Sequence, residues 1–192
     1  WVFLILMAVC SIGFVVWLLR SCPGLLEERL SMFRPDQPAW DKVFVVVLLT
    51  SFVAWLILMP LDAVRFRWSC VPLWLQAAGV VVLLVSFYLF FLVYRENQFL
   101  SPMVRVQEER RQRVISTGPY RYVRHPLYLG VLLSLWSVPV MTAGHLLFSM
   151  GLSSYILAGI WFEERDLIAQ FGERYRRYRA EVGMLVPRRS RS

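Results

Sequence analysis

Charge is scarce in this sequence. Asp, Glu, Lys and Arg make up 18% of 192 residues, whereas a soluble domain carries about a quarter. Cysteine is scarce too. Cys10, Cys22 and Cys70 are odd in number, scattered and free of C-x-x-C spacing, so neither a disulfide framework nor a zinc site follows. There are two histidines, and no H-E-x-x-H, P-loop, G-x-G-x-x-G or G-x-S-x-G pattern. These gaps argue against zinc peptidases, P-loop nucleotide hydrolases, Rossmann dehydrogenases and serine hydrolases. No internal repeat or low-complexity tract is present.

What fills the chain is apolar. Hydrophobic residues reach 58%, and they cluster in runs near twenty residues long, the length that crosses a bilayer core of about 30 Å. The runs are 1–19, 43–64 and 72–94, then a long one from Pro126 to Phe162 broken at Pro139 and Thr142-Ala143-Gly144. The break predicts a helical hairpin, 127–138 and 145–162. The expected fold is therefore all-α: a polytopic transmembrane bundle of about five spans in one domain, 1–192, with three spans in 1–94. Four spans with a kinked, partly re-entrant last unit is the alternative. The first run lacks a basic n-region and a small-x-small cleavage site, so a span is preferred over a signal peptide. Trp1 stands where Met is expected, which suggests a true start further upstream. Residues 163–182 place Leu167, Ile168, Phe171, Tyr175, Tyr178 and Val182 at helical spacing among charges. This pattern predicts an amphipathic interfacial helix.

Basic residues test that topology. Residues 20–42 hold four, 65–71 two, 95–125 seven, the turn at 139–144 none, and the tail from Arg165 eight. Rich and poor loops alternate, as the positive-inside rule requires. The rich segments are assigned to the cytoplasmic side. The net charge of +8 then reflects topology and anionic headgroups. Nucleic acid is not an expected partner, because the arginines flank spans rather than coat a soluble face.

Two polar stretches abut spans on that side. One runs from Asn97 to Tyr128, the other is Glu163-Glu164. In Arg124-His125-Pro126, proline at the first helical position makes His125 a cap-like residue. Helix-mouth N–H groups together with Arg121, Arg124 and His125 suit a carboxylate or phosphate. The same arginines serve equally well as contacts to lipid phosphates. Gly118-Pro119-Tyr120 forces a turn, while Tyr120, Tyr122 and Tyr128 also fit an interfacial aromatic belt. Glu163 and Glu164 need pairing or solvation at a membrane boundary. Arg165 can pair with either, or one carboxylate can hold ribose hydroxyls or a cationic ligand. His145, on the opposite face, reads as a plain turn residue.

An ordered set of motifs lies along 97–187: Val104-Arg105-Val106-Gln107, then Gly118-Pro119-Tyr120 through Leu129-Gly130, Glu163-Glu164, Phe171-Gly172, Tyr175 and Tyr178. About half the chain thereby resembles the isoprenylcysteine carboxyl methyltransferase family in its prokaryotic branch. The resemblance implies a membrane enzyme using S-adenosylmethionine, with a cytoplasmic cofactor pocket and no metal. It implies that Gln107, Arg113, Val114 and Ile115 line the cofactor. Tyr120, His125, Pro126, Leu127 and Tyr128 would form the pocket centre, closed by Glu163 with Glu164. His125, Glu163 and Arg121 are the expected catalytic residues. Eukaryotic members carry an arginine linked to the substrate carboxylate one turn before the glutamate. Gly159 stands there in this chain.

The expected activity is in-line methyl transfer to a lipophilic acceptor that enters from the bilayer, a prenyl-type or other lipid carboxylate. A carboxylate is already ionised near pH 7 and needs no general base. Alignment and exclusion of water then carry the rate. Phospholipid amine N-methylation and NADPH-dependent reduction of a sterol or enone are the alternative activities. A non-enzymatic scaffold or transporter is the remaining one, and the nearly uncharged spans argue against a solute path.

Overall fold

The computed structural model describes residues 2–21, 46, 50, 53, 72–97, 114–138 and 143–188. Among these, five α-helices appear: α1 (Val2–Ser21), α2 (Leu73–Glu96), α3 (Pro126–Trp136), α4 (Ala143–Phe171) and α5 (Glu173–Glu181), with a 3-10 turn at Gly118–Arg121. The β-type pairing among the described residues is a single parallel bridge between Val123 and Gly183. The all-helical class expected from the sequence holds. The expected span at 43–64 lies outside the described residues, save Val46, Thr50 and Val53, which are helical.

Two helices are long and apolar enough to cross a membrane, Leu73–Glu96 and Ala143–Phe171. Ile5–Ser21 and Pro126–Trp136 are shorter apolar helices. Pro72 starts α2 because it lacks an N–H yet keeps its carbonyl, which accepts from Leu75 and Gln76 at 3.0 and 3.2 Å. Side chains such as Leu73, Trp74, Leu147 and Trp161 point outward, as helices that meet lipid require.

The end of α4 departs from the sequence reading. A change of element was expected at Glu163, but the helix runs on to Phe171. At about 1.5 Å per residue its 29 residues span about 43 Å, more than a bilayer core. Glu163 and Glu164 carry charge but no conformational break. The break comes at Gly172, whose φ of 55° an L side chain rarely adopts. The predicted amphipathic segment is thus divided: its first half completes α4, and its second half is α5.

Close packing brings α2, α3 and α1 together. Ser86, fully buried on α2, donates to the Gly130 carbonyl on α3 at 3.0 Å. A Cβ on Gly130 would lie 2.6 Å from a Phe90 ring carbon. On the other side of α2, Phe14 meets Tyr94 edge-on at 5.1 Å and Trp17 meets Phe91 at 4.9 Å. Leu127 packs against Leu18 and Tyr94 in the same cluster. His145 lies in the first turn of α4, only 1% exposed, with Nε2 2.8 Å from the Leu135 carbonyl. It is therefore a tie across the α3–α4 hairpin rather than a turn residue.

Gly130→Val should lower stability by about 1–3 kcal/mol, the usual cost of overpacking. Adding Phe90→Leu should recover part of that loss. Thermal melting of the single and double variants in detergent checks both.

Candidate active site

The site begins at the end of α2. Asn97 closes that helix with its N–H on the Val93 carbonyl at 2.9 Å, and its side chain donates to the Tyr120 hydroxyl at 2.9 Å. Thr117 donates to Glu96. Gly118, at φ 57°, and Pro119 then force the 3-10 turn that buries Tyr120. Tyr178 on α5 fastens the turn from the other side, donating its hydroxyl to the Tyr120 carbonyl at 2.6 Å.

Beyond the turn, the chain pairs with a strap that follows α5. The Arg124 N–H donates to the Gly183 carbonyl at 2.8 Å and the His125 N–H to the Met184 carbonyl at 3.1 Å. These bonds use the amides just before α3. The sequence reading offered that stretch to an anion. Pro126 then starts α3, and no side chain caps it.

Three side chains converge on Glu164, which is 6% exposed. Its Oε1 accepts from Arg124 Nε at 2.8 Å and Nη2 at 2.7 Å, and lies 3.1 Å from His125 Nε2. Its Oε2 lies 3.2 Å from Arg179 Nε. Arg124 also donates to the carbonyls of Arg179, at 3.1 Å, and Val182. Arg124 is thus committed to Glu164 and the strap, not to an outside anion. Arg165 pairs with Asp166 at 3.7 Å, on exposed surface, rather than with either glutamate.

Glu163 differs from its neighbour. Its Oε2 is buried and has no hydrogen-bond partner among the described residues. His125 Nδ1 lies 3.8 Å away, too far for a hydrogen bond. The Tyr175 hydroxyl and Gln170 Oε1 are likewise buried and unpartnered among the described residues. Burying a carboxylate oxygen without a donor is costly, so this corner suits a cationic or donor group of a ligand.

Three phenols surround the cluster. Burial, the largest cause, pushes Tyr120 far above the usual phenol range, opposed by the Asn97 hydrogen bond. Burial raises Tyr175 similarly, and the negative charge of Glu164 adds to it. Tyr178 is pushed up to about 12 by burial, with Arg124 opposing. All three stay neutral hydrogen-bonding groups across the physiological range.

The residues anticipated from the sequence fall into groups. His125, Glu163 and Glu164 converge, and the Tyr128 ring lies 5.8 Å from the His125 ring. Tyr120 and Pro126 are buried beside them in sequence, and Leu127 turns to the α1–α2 cluster. Arg121 is exposed. Val114 lines a groove of about 500 Å³ with Ser116, Glu173, Arg174, Arg177, Tyr178 and Glu181, and Ile115 is half-buried next to it. Gln107 and Arg113 lie outside the described residues. Arg179, Gly183 and Met184 were not anticipated. Their only sequence signal was the glycine at 183, next to a charged amphipathic stretch.

With the geometry in place, comparison with known proteins decides the family. The phospholipid methyltransferase family model matches residues 74–174. The chain belongs to this family. A methanethiol S-methyltransferase from a Pseudomonas species, strain GM41, is 35% identical over 184 residues, covering 94% of this chain and 67% of that protein. The Mycobacterium tuberculosis methanethiol S-methyltransferase is 57% identical over 68 residues, covering 35% of this chain and 28% of that protein. A protein-S-isoprenylcysteine O-methyltransferase from Schizosaccharomyces pombe is 27% identical over 180 residues, covering 91% of this chain and 68% of that protein. The chain thus spans about two thirds, or less, of the length of these relatives. The resemblance to the isoprenylcysteine family holds, and the expected enzyme class, methyltransferase, is the class of all three relatives.

A Cβ on Gly183 would sit 1.9 Å from the Val186 carbonyl oxygen. Backbone cannot swing aside as a side chain can, so Gly183→Ala should cost at least about 2 kcal/mol and weaken the strap. Hydrogen exchange at the Arg124 and His125 amides, together with the melting temperature, reads this out. A second expectation concerns alkali. The phenols titrate near 10 when unfolded and higher when folded. Their contribution is intact below pH 10 and is lost as pH rises through the folded values. Melting temperature should fall between about pH 10 and 12, in step with tyrosinate absorbance.

Proposed function

We propose that this chain transfers a methyl group from S-adenosylmethionine to a small apolar thiol. The observation that carries the cofactor half is the buried Glu163 Oε2, which lacks a donor among the described residues although its neighbour Glu164 is fully engaged. Arg124 and Arg179 are both spent on Glu164, so Glu163 is the carboxylate left to face a cationic ligand. When bound, S-adenosylmethionine supplies an electrophilic methyl group on a sulfonium and also carries an ammonium. Glu163 would hold a cationic part of it, with Val114, Ile115, Tyr120, Pro126 and Tyr128 around the nucleoside. Gln107, Arg113, Leu127 and Arg121 complete the set inferred from the family motifs.

Two points support a thiol acceptor. The Pseudomonas and Mycobacterium relatives act, by name, on methanethiol. Gly159 leaves open space where a Cβ would be, so α4 carries no cation one turn before Glu163 to receive a carboxylate. A thiol needs no such partner. It does need to lose a proton, because thiolate is the nucleophile and a typical thiol has a pKa of about 8.5. Alignment and a dry site then lower the barrier.

The lipid carboxylate expected from the sequence is the second reading, favoured by the Schizosaccharomyces relative. The two differ in pH dependence. Methylation of a thiol should rise through neutrality, and that of a carboxylate should be flat. The setting that accompanies either reading is a single multi-pass domain in the bilayer, with its cofactor site on the cytoplasmic side and the acceptor arriving through lipid.

Glu163→Gln keeps the shape of the side chain and removes its charge. A hydrogen bond to a charged group is worth about 1.5–3 kcal/mol, so S-adenosylhomocysteine should bind the variant roughly tenfold to 100-fold more weakly by calorimetry. Absence of binding to the folded wild-type protein would sink the reading.

A further inference from the structure

The thiol reading leaves a question of chemistry: which group takes the proton. His125 is 5% exposed and lies between two carboxylates. Glu164 Oε1, an acceptor, sits 3.1 Å from Nε2. For that contact to be a hydrogen bond, Nε2 must carry the hydrogen. In the neutral ring, Nδ1 is then a bare lone pair. It faces Glu163 Oε2 at 3.8 Å, a second acceptor. Two acceptors 3.8 Å apart admit no atom between them, but they can share a donor that approaches from the side.

The tautomer depends on where Glu164 stands, and two arginines set that. Arg124 holds Oε1, and Arg179 reaches in from α5 to hold Oε2. Arg179 also lends its backbone carbonyl to Arg124. We propose that Arg179 is a positioning residue for His125. With Arg124 it clamps Glu164 so that His125 donates through Nε2 and presents Nδ1 as the proton acceptor for the thiol. This rests on the thiol-methylation reading above. In the step, the S–H bond breaks, its electron pair stays on sulfur, and the Nδ1–H bond forms. The proton passes from the imidazolium to water before the next cycle.

The charged and titratable groups around His125 come from each packed element. They are Arg124 from its own loop, Glu163 and Glu164 from α4, Arg179 and Tyr175 from α5, and Tyr128 from α3. Arg179 is the half-exposed member, so it can be changed without opening the core. Removing its positive charge must make a proton on His125 easier to hold.

The test uses two readouts. These 192 residues hold two histidines, so 15N-histidine labelling of this chain in detergent gives two rings. His125→Gln assigns them. Wild type should show His125 in the Nε2–H form. In Arg179→Ala that form should be partly lost and the ring should titrate at higher pH, while Arg179→Lys should retain both wild-type properties. An unchanged tautomer and unchanged titration in Arg179→Ala overturn the positioning role. The second readout is the rate of methyl transfer to ethanethiol and to thiophenol, an acidic thiol that is largely ionised at neutral pH. His125→Gln should slow ethanethiol at least tenfold more than thiophenol. An equal loss for both thiols overturns the proton-acceptor role and leaves thiol methylation standing. If wild type binds S-adenosylhomocysteine but methylates neither thiol, the acceptor reading has failed, and His125 as thiol base fails with it.

Discussion

The Glu164 carboxylate is the interaction on which the rest of the site depends. It is buried in the last third of α4 and is tolerable there because Arg124, His125 and Arg179 surround it. Removing one partner from a buried ion pair typically costs about 3–5 kcal/mol, because the other charge is stranded. That asymmetry explains the local architecture. The loop before α3, the strap after α5 and the end of α4 are three separate pieces of chain, and the carboxylate penalises any arrangement that separates them. The neighbouring Glu163 carries no such duty among the described residues, its Oε2 being buried without a hydrogen-bond partner.

Much of the helical layout was legible because bilayer thickness and proline leave direct marks. Leu73–Glu96 is an uninterrupted apolar run behind Pro72, and Pro126 opens α3. The convergence of His125 with Glu163 and Glu164 was also legible, from loop parity and family motifs. The partner of Glu164 was not. Arg165 is adjacent in sequence, but on a helix it projects elsewhere and stacks over Trp161 and Phe162 instead. Arg124 lies forty residues away, and no local periodicity points to it. The end of α4 was misplaced for a related reason. Charge marks where a helix leaves the apolar layer, whereas a glycine able to take positive φ marks where it stops being helical.

The hairpin of α3 and α4 shows how little polarity a membrane helix pair needs. Trp136 to Ser153 at 3.0 Å and His145 to the Leu135 carbonyl are its polar ties among the described residues, and Ser86 on α2 adds one to the Gly130 carbonyl of α3. Lipid is as apolar as leucine, so close approach and a few hydrogen bonds must replace hydrophobic burial. Gly130 supplies the approach and the serines supply the bonds. Together they fix the direction of α3, and through Pro126 the place of His125.

The strap imposes an order on biosynthesis. Its carbonyls are made nearly sixty residues after the arginine they receive. At about 5–20 residues per second, the ribosome needs several seconds to cover that distance. Until Arg179 is made, Glu164 on α4 lacks one of its two arginines. The ion cluster is complete only after translation has passed Arg179. A nascent chain stalled earlier exposes an incomplete ion cluster at the lipid boundary, the kind of defect that membrane quality-control proteases are suited to recognise.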